Sequence, residues 1–416
     1  MMAIFPAINN ASTVQTSLSQ GWVKQCDQRG TLDIIWGCST TLFLCLWVML
    51  HLNVPAKTDG FWTLIFRKSR WLLFGALAPE TLLLASAGQW ASAKRSKVDM
   101  KALGHDQWSM AHGFYADSGG FVLQPPDYGP FPVTAKQVHY LVKGKYIKVP
   151  DISEKEILDK SKADQTTKTI ACLQSGWFVT QCLARGIEHL PVSPLEITTC
   201  AIILCTATTY FFWLNKPLNV LTPTILNLDC GIAEVLTQVR ESAEKPFWNT
   251  PMDFAEPEIY TLDQWPRLSR LCGPYKKPLV RIPNDRNPQL FNVYHHAYLG
   301  LLVCCFSTIS FIEWNFHFPT EQERLIWRIC CVLAEASLFI HGVSERIAYW
   351  NTSHYIPLRY IEGYKVLWPW NLVFFVPGTL YFFARMLLVA LAFSSLRSLP
   401  HGSYINVEWS NFVPHM

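Results

Sequence analysis

Three ionisable residues stand inside long apolar stretches of this sequence: Glu80, directly after Pro79, Glu335 and Arg385. An ionisable side chain at mid-bilayer is costly and marks either a site or a structural ion pair. A carboxyl buried in hydrocarbon keeps its proton at neutral pH, so Glu80 reads as an acid able to protonate a bound apolar substrate. At a rise of about 1.5 Å per residue, Glu80 and Glu335 each lie roughly 15 Å into their helices and reach the same depth, facing one cavity. Glu335 is then the partner of Glu80 or the base that ends the reaction. Arg385 either contributes to the substrate site or neutralises one of the two carboxylates. Protonating an olefin or epoxide produces a carbocation, which requires an aprotic pocket and aromatic faces. Trp36, Trp47, Trp177, Phe178, Tyr210, Phe211, Phe212 and Trp213 are the aromatics expected to line it.

Other chemistry-bearing residues have plainer readings. His295, His296 and His341 sit near span ends; a membrane acyltransferase would use such a histidine as base, whereas interfacial histidines commonly satisfy helix ends. Glu196 follows Ser193 and Pro194, and Glu323 follows Thr320, so both carboxylates are explained as capping boxes. Asp33 and Glu313 lie near span ends within reach of water and rank as secondary candidates. His112 falls in WSMAHGFYADSGGF, which reads as a polar-aromatic loop with a turn at Gly119 and Gly120. The thirteen cysteines include no CxxC pair and read mainly as small hydrophobes. No HExxH, GxGxxG, Walker or GxSxG motif occurs, and no Asp-rich diphosphate and magnesium motif, so neither metal nor cofactor is expected.

The elements that must position these residues are membrane helices. Half of the residues are hydrophobic and 16% are charged, a membrane composition, and a net charge of +4 is too small to indicate nucleic-acid binding. Apolar runs predict about seven spans, at 32–52, 71–88, 169–184, 195–214, 298–314, 325–343 and 371–393. The 169–184 run is short and carries Gln174 and Gln181, and Pro377 with Gly378 bends the last run. Tryptophans gather near the span ends, as an aromatic belt requires. The reading is an all-α polytopic bundle forming one integral membrane domain over 1–416, with two long polar loops, 94–168 and 215–296. The first span serves as an uncleaved signal anchor. Sidedness stays open: the sequons at Asn10 and Asn351 share a side in a seven-span arrangement, while the basic loops favour the opposite orientation.

The segments IIWGCSTTLF, LNVP, ALAPE, HGFYADSGGF, WFVTQCLAR, YFFWLNKPLNV, FPTEQE and LRSLPHGSY, spread over most of the chain, resemble a large group of multi-pass membrane proteins of filamentous fungi. Some members look like membrane-bound meroterpenoid cyclases, which protonate a terminal olefin or epoxide of a farnesyl-bearing phenol or epoxyquinone. The resemblance implies a proton-initiated cyclase or isomerase acting on a lipophilic substrate in the endoplasmic reticulum, and carries over Glu80 of ALAPE as the acid. The alternatives are an acyltransferase, or a transporter or scaffold in which Glu80, Glu335 and Arg385 form a relay or an interhelical lock.

Overall fold

The computed structural model describes residues 19–24, 29–161, 165–238, 247, 249–255, 279–285, 293–353 and 368–409. Among the described residues, five helical segments are long and apolar enough to cross a membrane: Thr31–Met49, Pro194–Phe212, Ala297–Asn315, Glu321–Ser344 and Val376–Arg397. They belong to helices α1 (Thr31–Met49), α8 (Pro194–Phe212), α10 (Val293–Ser307) with a 3₁₀ extension (Thr308–Asn315), α11 (Glu321–Ser353) and α12 (Trp368–Ser394). The Ser193 capping box forms, with the Glu196 amide donating to Ser193 Oγ at 3.4 Å and the Ser193 amide to Glu196 Oε2 at 2.9 Å, and Thr320 caps α11 by accepting the Glu323 amide at 3.1 Å.

The expected second span is not a single helix. The chain forms α2 (Phe61–Leu77) and α3 (Pro79–Ala102), separated at Ala78 and bent by 111°. Pro79 occupies the first turn of α3, where its missing N–H costs nothing, so it starts a new helix instead of bending an existing one. Among the described residues the candidate spans number five, or six if the bent pair is one, where the sequence suggests about seven.

Contacts at the two ends of the bundle show how the chain threads it. At one end, β1 (Ser19–Gln20) pairs antiparallel with β5 (Leu399–Pro400), and Tyr404 Oη donates to the Gly21 carbonyl at 3.0 Å. Arg185, in the last turn of α7 (Gln165–Ile187), joins this end by donating to the carbonyls of Pro191, Gly402, Ser403 and Ile405. At the other end, Lys216 Nζ donates to Asn53 Oδ1 (3.2 Å) and Gln89 Oε1 (2.9 Å), while Trp213 Nε1 donates to the same Gln89 oxygen at 3.0 Å. Asn53 precedes α2 and Gln89 lies within α3, so the α2–α3 pair enters and leaves at one end. By contrast α7 runs from Lys168, over the Tyr210 ring, to Arg185 at the opposite end, with Gln174 Nε2 donating to Thr41 Oγ1 of α1 on the way. Among the described residues, α1, α7, α8, α10 with its extension, α11 and α12 run between the two ends, although α7 is not among the candidate spans. The β1–β5 pair holds the two terminal segments at one end.

The two connections expected to be loops instead build one folded body. It contains α4 (Met110–Asp117), β2 (Phe121–Gln124), β3 (Phe131–Val133), α5 (Ala135–Lys143), α6 (Glu154–Lys160), β4 (Thr224–Asn227) and α9 (Ile232–Gln238). The sheet has the order β3-β2-β4, with β2–β3 antiparallel and β2–β4 parallel. Parallel strands need a long crossover, and here the crossover includes the α7–α8 helix pair. Trp108, Tyr115, Phe121, Phe131, Leu141 and Leu236 fill the core of the body. The HGFYADSGGF stretch is thus buried structure. A Cβ on Gly113 would lie 2.9 Å from Ala93 backbone atoms, so glycine lets α4 press against α3, and Gly119 takes a positive φ of 81°. His112 is held by Ser109 at Nδ1 and by the Ile152 carbonyl at Nε2.

His51, just beyond α1, lies under this joint with its ring near Trp213 and Tyr210 (centroids 5.6 and 5.9 Å). Burial, reinforced by the nearby Lys216 charge and opposed by a hydrogen bond to the Met49 carbonyl, lowers its pKa to about 3. The unfolded chain takes up that proton near pH 6.5, so the stability His51 contributes is full above that pH and declines as pH falls toward 3. The melting temperature is accordingly expected to fall between pH 6.5 and 4.5, and to fall less steeply in His51→Gln; equal slopes would contradict a buried neutral imidazole. The threading is checked with a membrane-impermeant maleimide on sealed vesicles. Lys24→Cys and Asn406→Cys should label from one side and Lys148→Cys from the other.

Candidate functional site

The break between α2 and α3 exposes the last carbonyls of one helix and the first amides of the next, in the interior of the bundle. Ala78 donates its amide to the Phe74 carbonyl at 2.8 Å, and Thr81 Oγ1 donates to the Ala78 carbonyl at 2.7 Å. The charged residues complete the arrangement. Arg385 of α12 donates through Nε to the Leu77 carbonyl (3.2 Å) at the C-terminus of α2, and Glu80 occupies the first turn of α3. A cation at a helix C-terminus and an anion at an N-terminus are each stabilised by the helix dipole. Between them, Arg385 Nη2 lies 3.7 Å from Glu80 Oε1, while Tyr381 Oη donates to Glu80 Oε2 at 2.5 Å. Tyr381 and Arg385 are four residues apart and so project from one face of α12. Glu80 and Arg385 are 2% and 4% exposed.

Glu313 adds the remaining element. It lies in the 3₁₀ extension of α10, is 0% exposed, and among the described residues neither carboxyl oxygen has a hydrogen-bond partner. Arg385 is close enough to act on it electrostatically, as Glu313 is to act on Cys331 of α11. Burying a carboxylate without a partner is far more costly than burying a paired one. Sequence position ranked Glu313 as a span-end residue within reach of water; the 3₁₀ segment carries it inward, where Trp327 Nε1 donates to the Ser310 carbonyl at 3.3 Å and closes the packing around it.

Of the residues selected from sequence, Glu80 and Arg385 meet, and Glu335 does not join them. Glu335 is half-buried on α11 against Cys304 of α10, with Oε2 lacking a hydrogen-bond partner. Arg385 therefore pairs with Glu80, not Glu335. The aromatics do not form one lining. Trp36 is 72% exposed on α1, and Trp177 is 50% exposed and stacks on Trp409 at 4.9 Å. Trp47 carries Lys68 over its ring at 4.0 Å. Phe178 belongs to the bundle core, and Tyr210 and Trp213 flank His51 at the joint with the body. Phe211 is 66% exposed, and Phe212 packs edge-on against Trp90. His341 is half-buried on α11; the side chains of His295 and His296, and the whole of Asn10, lie outside the described residues. Among the described residues no group of three or more His, Cys, Asp or Glu side chains is placed to hold a metal ion. Tyr381 was missed because a tyrosine in an aromatic run carries no polar signal; its spacing of four from Arg385 was the available clue.

Residues 1–242 match a family of unknown function (DUF8562). The chain belongs to this family. The matched part contains α1 to α9, the Glu80 hairpin and the body, and ends before Glu313, Tyr381 and Arg385. Neither a curated protein nor a solved structure matches the chain.

Breaking a buried pair by removing one member leaves an uncompensated charge and costs about 3–5 kcal/mol. Glu80→Gln and Arg385→Met are each expected to lower the melting temperature strongly, and the double variant to lose much less than the two losses combined. Additive losses would show that the two side chains do not interact.

Proposed function

We propose that this protein is a membrane-bound cyclase or isomerase that starts carbocation chemistry by protonating an olefin or epoxide of a lipophilic, prenylated substrate, in fungal secondary metabolism at the endoplasmic reticulum. The observation that carries the reading is the Glu313 carboxyl, fully buried with both oxygens free of hydrogen-bond partners among the described residues. Such a group has no donors to satisfy a carboxylate and is suited to being held as the neutral acid that the chemistry requires. Glu80, the acid expected from the sequence, is engaged by Arg385 and Tyr381, so the proton donor is assigned to Glu313 and the Glu80 pair to positioning.

The step is balanced within the substrate. Glu313 gives its proton to one carbon of the olefin or to the epoxide oxygen. The electrons of a neighbouring double bond then form the ring bond, and the last cation loses a proton that returns to the Glu313 carboxylate, so the acid is regenerated and product and substrate share one mass. Low dielectric around Glu313 protects the cation from water.

The Glu80–Arg385 pair also favours a second reading, a scaffold in which the pair is an interhelical lock and no reaction occurs. Microsomes containing the wild type or Glu313→Gln, supplied with a terminal epoxide of a farnesyl-bearing phenol, distinguish the two. A general acid contributes about 10²–10⁴-fold, so Glu313→Gln is expected to lose at least about a hundredfold in cyclised product while melting near the wild-type temperature. A wild-type rate in Glu313→Gln would remove the acid assignment, and no product of unchanged mass from the wild type would favour the scaffold.

A further inference from the structure

At the base of the α2–α3 hairpin, one carboxylate oxygen takes two donors and lies near a third. Asp59 Oδ2 accepts the Ala56 amide at 3.0 Å, forms an ion pair with Arg281, and lies 3.6 Å from Arg67 Nη1. The last distance is too long for a hydrogen bond. Arg67 is only 9% exposed, yet among the described residues its one hydrogen bond goes from Nη2 to the Asn53 carbonyl at 2.7 Å, and its buried Nε has no partner. A guanidinium offers five N–H donors in a planar fork matched to phosphate, so most of the donating capacity of Arg67 is unused. Arg281 and Arg70 both act on Arg67 with like charge, and Asp59 alone offsets them in the same group.

This cationic pocket borders an apolar surface. Phe61, Trp62 and Phe66 on α2 are 68%, 70% and 74% exposed. Arg70 is four residues from Phe66 and three from Arg67, so it stands on the helix between the apolar face and the pocket. Lys94, Arg95, Lys97 and Lys101 of α3 lie at this same end of the bundle. Basic clusters of this kind at a membrane surface attract anionic lipid headgroups.

We propose that Arg67 and Arg281 bind the phosphate of an anionic glycerophospholipid, with its acyl chains lying along Phe61, Trp62 and Phe66. The phosphate takes the donors that Asp59 cannot satisfy, and the lipid thereby fixes the base of the hairpin. This inference is independent of the reaction proposed above.

The test is the melting temperature of purified protein in phosphatidylcholine micelles after addition of phosphatidylserine, further phosphatidylcholine or inorganic phosphate. Phosphatidylserine is expected to raise the wild type by several degrees, and the other two to leave it unchanged. Arg281→Gln should lose most of that rise, whereas Lys148→Gln, an exposed basic residue on the body, should retain it. Should Arg281→Gln fail to fold, Asp59→Asn decides: removing the competing carboxylate should enlarge the rise. The proposal is overturned by a full rise in Arg281→Gln, by an unchanged or smaller rise in Asp59→Asn, by no rise in the wild type, or by an equal rise with inorganic phosphate, which would mark a site for a free anion.

Discussion

A helix that turns back inside a bilayer must satisfy the backbone groups freed at the turn from within the protein, because hydrocarbon offers nothing to bond. The 111° bend at Ala78 sets that requirement, and α12 meets it. Arg385 takes the end of α2 and Glu80 marks the start of α3, with their charges directed at each other across the break. A buried ion pair alone is weak grounds for stability, since the desolvation of two charges offsets most of their attraction. Here the same two groups also answer two helix termini, which gives each of them a structural reason for being charged. Tyr381 supplies the donor for the carboxylate oxygen that Arg385 does not approach.

That arrangement also explains why Glu313 stands apart. One guanidinium shared by two carboxyls can compensate one of them by direct contact, and the hairpin fixes which one. The nearest donors of α12 are already engaged at Glu80 and Leu77, and Trp327 and Cys331 of α11 turn toward the Ser310 carbonyl instead. Glu313 is therefore a buried carboxyl beside a Glu80–Tyr381–Arg385 cluster whose groups are engaged with one another and with the Leu77 carbonyl.

Much of this architecture is legible in the sequence, for identifiable reasons. Apolar length located α1, α8, α10, α11 and α12, and the capping residues Ser193 and Thr320 fixed two helix starts, because these signals are local. At 71–88 a hydropathy window sums composition and cannot tell one continuous helix from two helices broken at Ala78, and Pro79 fits either case. The body was unreadable because its sheet joins β2 to β4 across the α7–α8 excursion, a pairing without local pattern. At the site, Glu80 and Arg385 were found because charge in an apolar run is conspicuous. Glu313 was ranked low because depth was judged from position along the chain, and a 3₁₀ segment folding under Trp327 changes that depth. The aromatics misled for a related reason: on a helix facing lipid, large apolar side chains such as Trp36 belong outside.

The hairpin further accounts for why a folded body is attached to the bundle. Helix α3 begins with Glu80 among the membrane helices and ends with Met100 in the core of the body, about 30 Å away at 1.5 Å per residue. A rod of that length, held at one end only by an ion pair, would pivot and blur the position of its first turn. Gly113 allows α4 to lie against Ala93, Trp108 Nε1 donates to Ser96 Oγ at 2.9 Å, and Lys216 and Trp213 clamp Gln89, so the rod is held at three successive levels. The carboxylate at its tip then keeps the register with Tyr381 and Arg385 that a 3.7 Å contact demands. The body acts as the fixed mounting of the Glu80 end of α3, and its β2–β4 pairing, which spans the α7–α8 excursion, joins that mounting to the bundle.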